Sequence, residues 1–118
     1  MNIEDFRNYC IAKKAVVEEF PFDETTLVFK VMGKIFALTD TENDFTMNLK
    51  CIPEQAIELR EKYPNTVLPG YHMNKKHWNT IVGNGEASDE QIKEWIDLSY
   101  DLVVQKLTKA QKEELKNM

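Results

Sequence analysis

Residues 25–50 alternate. Leu27, Phe29 and Val31 recur at every second position, interleaved with Val28 and Lys30. After Met32-Gly33 the chain returns as Lys34-Ile35-Phe36-Ala37-Leu38-Thr39. Past a polar loop at 40–44, Phe45, Met47 and Leu49 alternate with Thr46, Asn48 and Lys50. A period of two sends successive side chains to opposite faces of a pleated strand, so these runs predict a three-stranded meander with one apolar face. Gly33 supplies the positive φ that a tight hairpin turn needs. An antiparallel sheet with one apolar face must be covered by other elements, and that requirement organises the rest of the chain.

The flanks provide the cover. Asn2 caps a first helix, with Glu4 and Asp5 in its first turn and Ile3, Phe6, Tyr9 and Cys10 along one stripe. The spacing ends it near Lys13, and Val16 and Val17 begin an extended connection into Phe20-Pro21-Phe22. Pro53 opens a second helix, with Ile52, Ala56, Leu59 and Tyr63 on one face and Tyr63-Pro64-Asn65 as its stop. Thr66-Val67-Leu68 and Trp78-Asn79-Thr80-Ile81-Val82 read as two further strands. Ser88-Asp89-Glu90-Gln91 has the pattern of a capping box, with Gln91 reaching back to the cap. The long helix it starts carries Ile92, Trp95, Ile96, Ser99, Leu102, Val103 and Leu107 on its buried stripe. Ser99 permits close packing there and Tyr100 lies off the stripe over a neighbouring strand; both are expected in the core or in support of the region of Trp78. Residues 109–118 are polar and are expected to form an exposed tail. The reading is one α+β domain, 1–118, with a mainly antiparallel sheet and helices packed on one face.

Charge and composition remove several function classes. No run approaches the roughly 18 apolar residues of a membrane helix, and the N-terminus lacks the sections of a signal peptide. The expected setting is therefore a monomer in the cytoplasm. The net charge of −5 argues against a strong, general nucleic-acid binder, because phosphate neutralisation dominates such affinity. The charge is uneven along the chain, however. Acids crowd the N-terminal part (Glu4, Asp5, Glu18, Glu19, Asp23, Glu24) and the C-terminal part, while the middle carries Lys30, Lys34, Lys50, Lys75 and Lys76. Cys10 and Cys51 sit at apolar-periodic positions with no ligand spacing around them, as buried free thiols do.

The densest chemistry lies at 71–80, Tyr-His-Met-Asn-Lys-Lys-His-Trp-Asn-Thr, entered through Leu68-Pro69-Gly70. As a nucleic-acid contact, Lys75 and Lys76 would neutralise phosphates. Asn74, Asn79 and His72 would donate hydrogen bonds, and Tyr71 or Trp78 would stack on a base. Lys30, Lys34 and Lys50 extend the patch if the hairpin lies beside it. The competing structural reading puts Trp78 in the core, His72 in an interior hydrogen bond and the lysine pair in a solvated turn. His72 and His77 are five apart, a poor spacing for shared metal ligation on either a helix or a strand. No nucleophile has a recognisable base nearby, and the four glycines are scattered as turn residues. The chain is expected to be non-enzymatic, without cofactor or metal.

Four blocks carry a resemblance: Glu18-Glu19-Phe20-Pro21-Phe22, then 27–37, then 69–78, then Asp97-Leu98-Ser99-Tyr100-Asp101-Leu102-Val103. In this order they resemble the MmcQ/YjbR family over nearly the whole chain, and 69–78 is the most specific block. The resemblance implies a CyaY-like (frataxin-like) fold and a DNA-binding role through paired β-elements. That makes Lys30, Lys34, Lys50, Tyr71, His72, Asn74, Lys75, Lys76 and Trp78 the expected contact surface. The alternative is a small-molecule or protein-interaction module using the cluster Tyr71, His72 and Trp78. A third reading, by analogy with frataxin-like proteins, is metal binding on the acidic N-terminal face. The chain departs from the family pattern after the first helix, where Ala12-Lys13-Lys14-Ala15 replaces a Leu-Pro-Gly-like break, so the helix is expected to run longer. Thr108 stands where a Pro precedes the terminal lysine segment.

Overall fold

A computed structural model describes residues 1–71 and 73–118. The expected meander is present as β2 (Thr26–Val31), β3 (Lys34–Asp40) and β4 (Thr46–Lys50). The residues after the first helix form a further strand, β1 (Val16–Glu19), antiparallel to β2 with Val16 opposite Val31. After β4 the chain crosses through α2 (Pro53–Lys62), enters the far edge as β5 (Val67–Pro69), and turns back into β6 (Trp78–Val82). The six strands lie in the order β1-β2-β3-β4-β6-β5, every pair antiparallel. Residues 70–77 are thus the connection of the β5–β6 hairpin.

Three more helices complete the chain: α1 (Ile3–Ile11), α3 (Asp89–Gln105) and α4 (Lys109–Lys116). One core joins all four helices to the alternating residues Leu27, Phe29, Val31, Met47, Leu49, Val67 and Ile81 of the sheet. Phe6 of α1 meets Phe29 and Phe45 edge-on, at ring separations of 5.6 and 5.7 Å. Burying a side chain of this size contributes about 1.5–3 kcal/mol.

Where apolar alternation breaks, hydrogen bonding takes over. Phe29 pairs with Ala37 and Lys30 with Ile35, so Phe36 bulges from β3. The bulge opens a gap toward β4, which the buried Ser99 hydroxyl of α3 fills. It accepts from the Lys50 N–H at 2.8 Å and donates to the Phe36 carbonyl. Tyr100 packs edge-on against Phe36, and its hydroxyl donates to the Lys14 carbonyl at 2.7 Å. The pair therefore ties α3 to β3, β4 and the α1–β1 turn; Ser99 is buried in the core as expected, and its partner Lys50 stands opposite Trp78 across β4 and β6.

Three expectations need correction. Helix α1 does not run longer: it stops at Ile11, and Ala15 adopts a left-handed φ of 63° to make the turn. Without glycine the turn is still made, at the strain of a Cβ in that region. The segment 109–118 is more than an exposed tail. Thr108 caps α4 reciprocally with Gln111, and Leu115 is buried in the core. At α3, Ser88 accepts from the Gln91 N–H, but the Gln91 side chain turns to Glu94 rather than back to the cap.

Candidate nucleic-acid interface

The register places charge at the two ends of the sheet. Val16, Val31, Lys34, Lys50, Pro69 and Trp78 lie toward one end, level with one another across the strands. The loops at that end carry Lys14, Lys34 at the start of β3, Lys75 with Lys76, and Lys13, which is paired with Asp97 at 2.5 Å. The loops at the opposite end carry Asp23, Glu24, Asp40, Glu42, Asp44 and Glu86. With strands about 4.8 Å apart, the starts of β3 and β6 are separated by about 10 Å. The polarity along the chain has become a polarity in space.

The loop at 70–77 is held from beneath. The Gly70 N–H donates to the Trp78 carbonyl at 2.9 Å, and a Cβ on Gly70 would stand 2.8 Å from that oxygen and from the Trp78 Cβ. Only glycine permits this approach. Asn74 closes a turn by accepting the Lys76 N–H at 2.9 Å, and its carbonyl accepts from the N–H of Trp78. The guanidinium of Arg60, on α2, donates to Asn79 Oδ1 at 2.8 Å, to the Trp78 carbonyl at 3.3 Å, and to the Lys75 carbonyl. On the sheet face away from the helices, Leu68, Thr80 and Asn48 lie in one row. Tyr71 N–H donates to Thr80 Oγ1 at 2.9 Å, Thr80 donates to Asn48 Oδ1, and Asn48 Nδ2 donates to the Tyr71 carbonyl at 3.1 Å. Three hydrogen bonds thus close a ring on the backbone of Tyr71.

The expected contact residues do not share one environment, and Lys50 among them is half-buried. Tyr71 is 68% exposed, and Asn74, Lys75, Lys76 and Lys34 are exposed around the same end. Among the described residues Lys34, Lys50, Lys75 and Lys76 make no ion pair. Lys30 sits at this end too but is paired with Glu19. Trp78 is only 9% exposed: it lies opposite Lys50 on the same sheet face as Thr80, outside the main core cluster, and is covered there, so it is not presented for stacking. Asn79 is buried and spent on Arg60 and the Ala56 carbonyl, so it does not reach outward. His72 lies outside the described residues. With Trp78 covered and Tyr71 exposed, these two side chains of the expected ligand cluster do not present a shared open surface.

The acidic N-terminal set is dispersed into structural work. Glu18 takes a two-pronged bond from Arg7 at 2.6 and 2.7 Å, Asp5 closes the α1 cap, and Asp23 accepts from the N–H groups of Thr25 and Thr26. Among the described residues no three His, Cys, Asp or Glu side chains converge as metal ligands. Cys10 and Cys51 are buried, and burial raises both thiols above their usual range. No described helix is long and apolar enough to cross a membrane.

Sequence reasoning misses Arg60, Asn48 and Thr80 as site residues. Arg60 stands one turn beyond Ala56 at the border of the α2 stripe, a spacing that puts it over the same strands. Asn48 is an amide in mid-strand, where amides are depleted, and that is the signal it offers.

The family model described as YjbR matches residues 11–102. This chain belongs to the YjbR family. It is 34% identical to the protein YjbR of Escherichia coli K12 over 105 residues, 88% of each chain. It is 38% identical to YbdF of Escherichia coli O157:H7 over 91 residues, covering 76% of this chain and 74% of that one. Among solved structures it resembles the Deinococcus radiodurans protein DR2400, with a TM-score of 0.92 and 41% identity over 98% of this chain and 88% of that one. A second structural neighbour, a protein from Pseudomonas syringae, has a TM-score of 0.76 and 28% identity, covering 86% of this chain and 98% of that one.

Proposed function

We propose that this YjbR-family chain is a non-enzymatic DNA-binding module that docks through the lysine-bearing end of its sheet. The observation that carries the reading is the gathering of Lys34, Lys50, Lys75 and Lys76 at one end, without ion pairs among the described residues, while the acidic loops lie at the other. A chain with net charge −5 would otherwise repel phosphate. Separating the charges lets it approach by one end only, and exposed ammonium groups release counterions when they meet phosphate. The antiparallel sheet, with α1 before it and α3 laid across one face, also supports the frataxin-like arrangement that the family resemblance implies. Binding by so few lysines is weak and steeply salt-dependent.

A salt titration of binding to DNA tests the reading. Measurable affinity is expected at low salt. Lys75→Ala/Lys76→Ala should lower the slope of log K against log salt by about 1.5–2, near 0.9 for each duplex phosphate no longer neutralised. Absence of binding at low salt, or binding indifferent to the double substitution, overturns it.

A further inference from the structure

The hydrogen-bonded ring around Tyr71 demands an explanation beyond loop closure. Gly70 and Asn74 already close the hairpin connection through backbone bonds to Trp78. Yet two buried polar side chains, Asn48 and Thr80, are committed to the N–H and C=O of one surface residue. Burying an amide and a hydroxyl is unfavourable unless both are well satisfied. What this arrangement secures is the backbone from which the phenol of a residue 68% exposed projects. Leu68, in the same row as Thr80 and itself 41% exposed, adds apolar surface beside the ring's anchor.

We propose that Tyr71 is a preorganised stacking platform for an unpaired base, so that the ligand of this site is a single-stranded nucleic acid. The proposal rests on the nucleic-acid reading above and names its ligand class. An exposed aromatic face on a fixed backbone stacks on any base, but only where the base is not already stacked within a duplex. Lys75 and Lys76, a few residues on in the same connection, lie where the strand's phosphates would pass. The buried ring fixes the backbone of Tyr71 before binding, so less freedom is lost when a base arrives.

The test compares oligothymidylate, oligouridylate and a duplex, each of about 12 nucleotides or base pairs, at one low salt concentration. A single strand should bind at least about fivefold more tightly than the duplex, and the two single-stranded arms show whether the sugar matters. Tyr71→Ala should weaken single-strand binding about tenfold. Tyr71→Trp should restore it, with indole emission quenched on binding relative to the unsubstituted protein. Thr80→Val, which breaks the ring, should weaken single-strand binding at an unchanged salt slope; a spectroscopic check of its fold accompanies it, and Tyr71→Trp carries the test if that variant misfolds. Duplex binding as tight as single-strand binding, with Tyr71→Ala without effect, overturns this proposal and leaves the DNA reading standing. Failure to bind all three probes overturns both.

Discussion

The two ends of the sheet solve the same problem with different chemistry. At the acidic end carboxylates hold the turns. Asp23 Oδ1 accepts the Thr25 and Thr26 N–H groups at 2.9 and 2.6 Å, and Asp40 accepts the Glu42 N–H at 2.9 Å and the Asn43 amide at 2.6 Å. The backbone N–H bonds, joined at Asp40 by the Asn43 side-chain amide, hold both carboxyls below their ordinary value of 3.8. At the lysine end Ser99, Asn48, Thr80 and the Arg60 guanidinium do the holding. The difference follows from what each group can do. A carboxylate accepts, so it satisfies free backbone N–H groups in its own turn. A lysine ammonium only donates and is strongly hydrated. Asp23 and Asp40 are absorbed into architecture at one end, whereas Lys34, Lys75 and Lys76 at the other make no ion pair among the described residues.

The strongest test of that contrast is Ser99→Ala. It strips the partner from the Lys50 N–H and the Phe36 carbonyl at the β3 bulge, and should cost about 2–4 kcal/mol in urea unfolding, at about 1–3 for each unpaired buried group. A loss below about 1 kcal/mol would mean that the strands close the gap unaided. Next, Arg60→Ala should cost about 2 kcal/mol and speed amide exchange in residues 75–79. Arg60→Lys should recover little, because one ammonium cannot span three acceptors in a fixed fork.

Acid should then separate the ends. The folded pKa of Asp23 and Asp40 is depressed, so the unfolded chain binds protons first as pH falls. Their contribution is present above the ordinary value of 3.8 and is lost as pH drops through the lower folded value. Amide resonances of Thr25, Thr26 and Glu42 should move in that window while those of Tyr71 and Trp78 stay. Simultaneous movement at both ends would erase the contrast. A smaller effect, of opposite sign, comes from Ala15→Gly, which should stabilise by about 1 kcal/mol in thermal unfolding by relieving the left-handed φ. The smallest is Lys75→Ala/Lys76→Ala, expected within about 0.5 kcal/mol of the parent. A larger loss would make the lysines structural.

Much of this was legible in the chain. Period-two alternation from Leu27 to Leu49 determined the meander and which of its side chains face the core, because a strand's geometry is local. The stripe from Ile92 to Leu107 determined the covering helix for the same reason, and the blocks shared with the YjbR family determined its kinship. What no local pattern carried was pairing across distance. Trp78 and Tyr71 are seven residues apart and equally aromatic, yet one is covered and the other exposed. The connection that folds back over β6, with Gly70 against Trp78, decides that. The alliances of Ser99 with Phe36 and Lys50, of Arg60 with residues 75–79, and of Asn48 and Thr80 with Tyr71 join residues 9 to 63 positions apart. Hydrogen bonds of that kind depend on which strands become neighbours, and the strand order came only with the folded sheet.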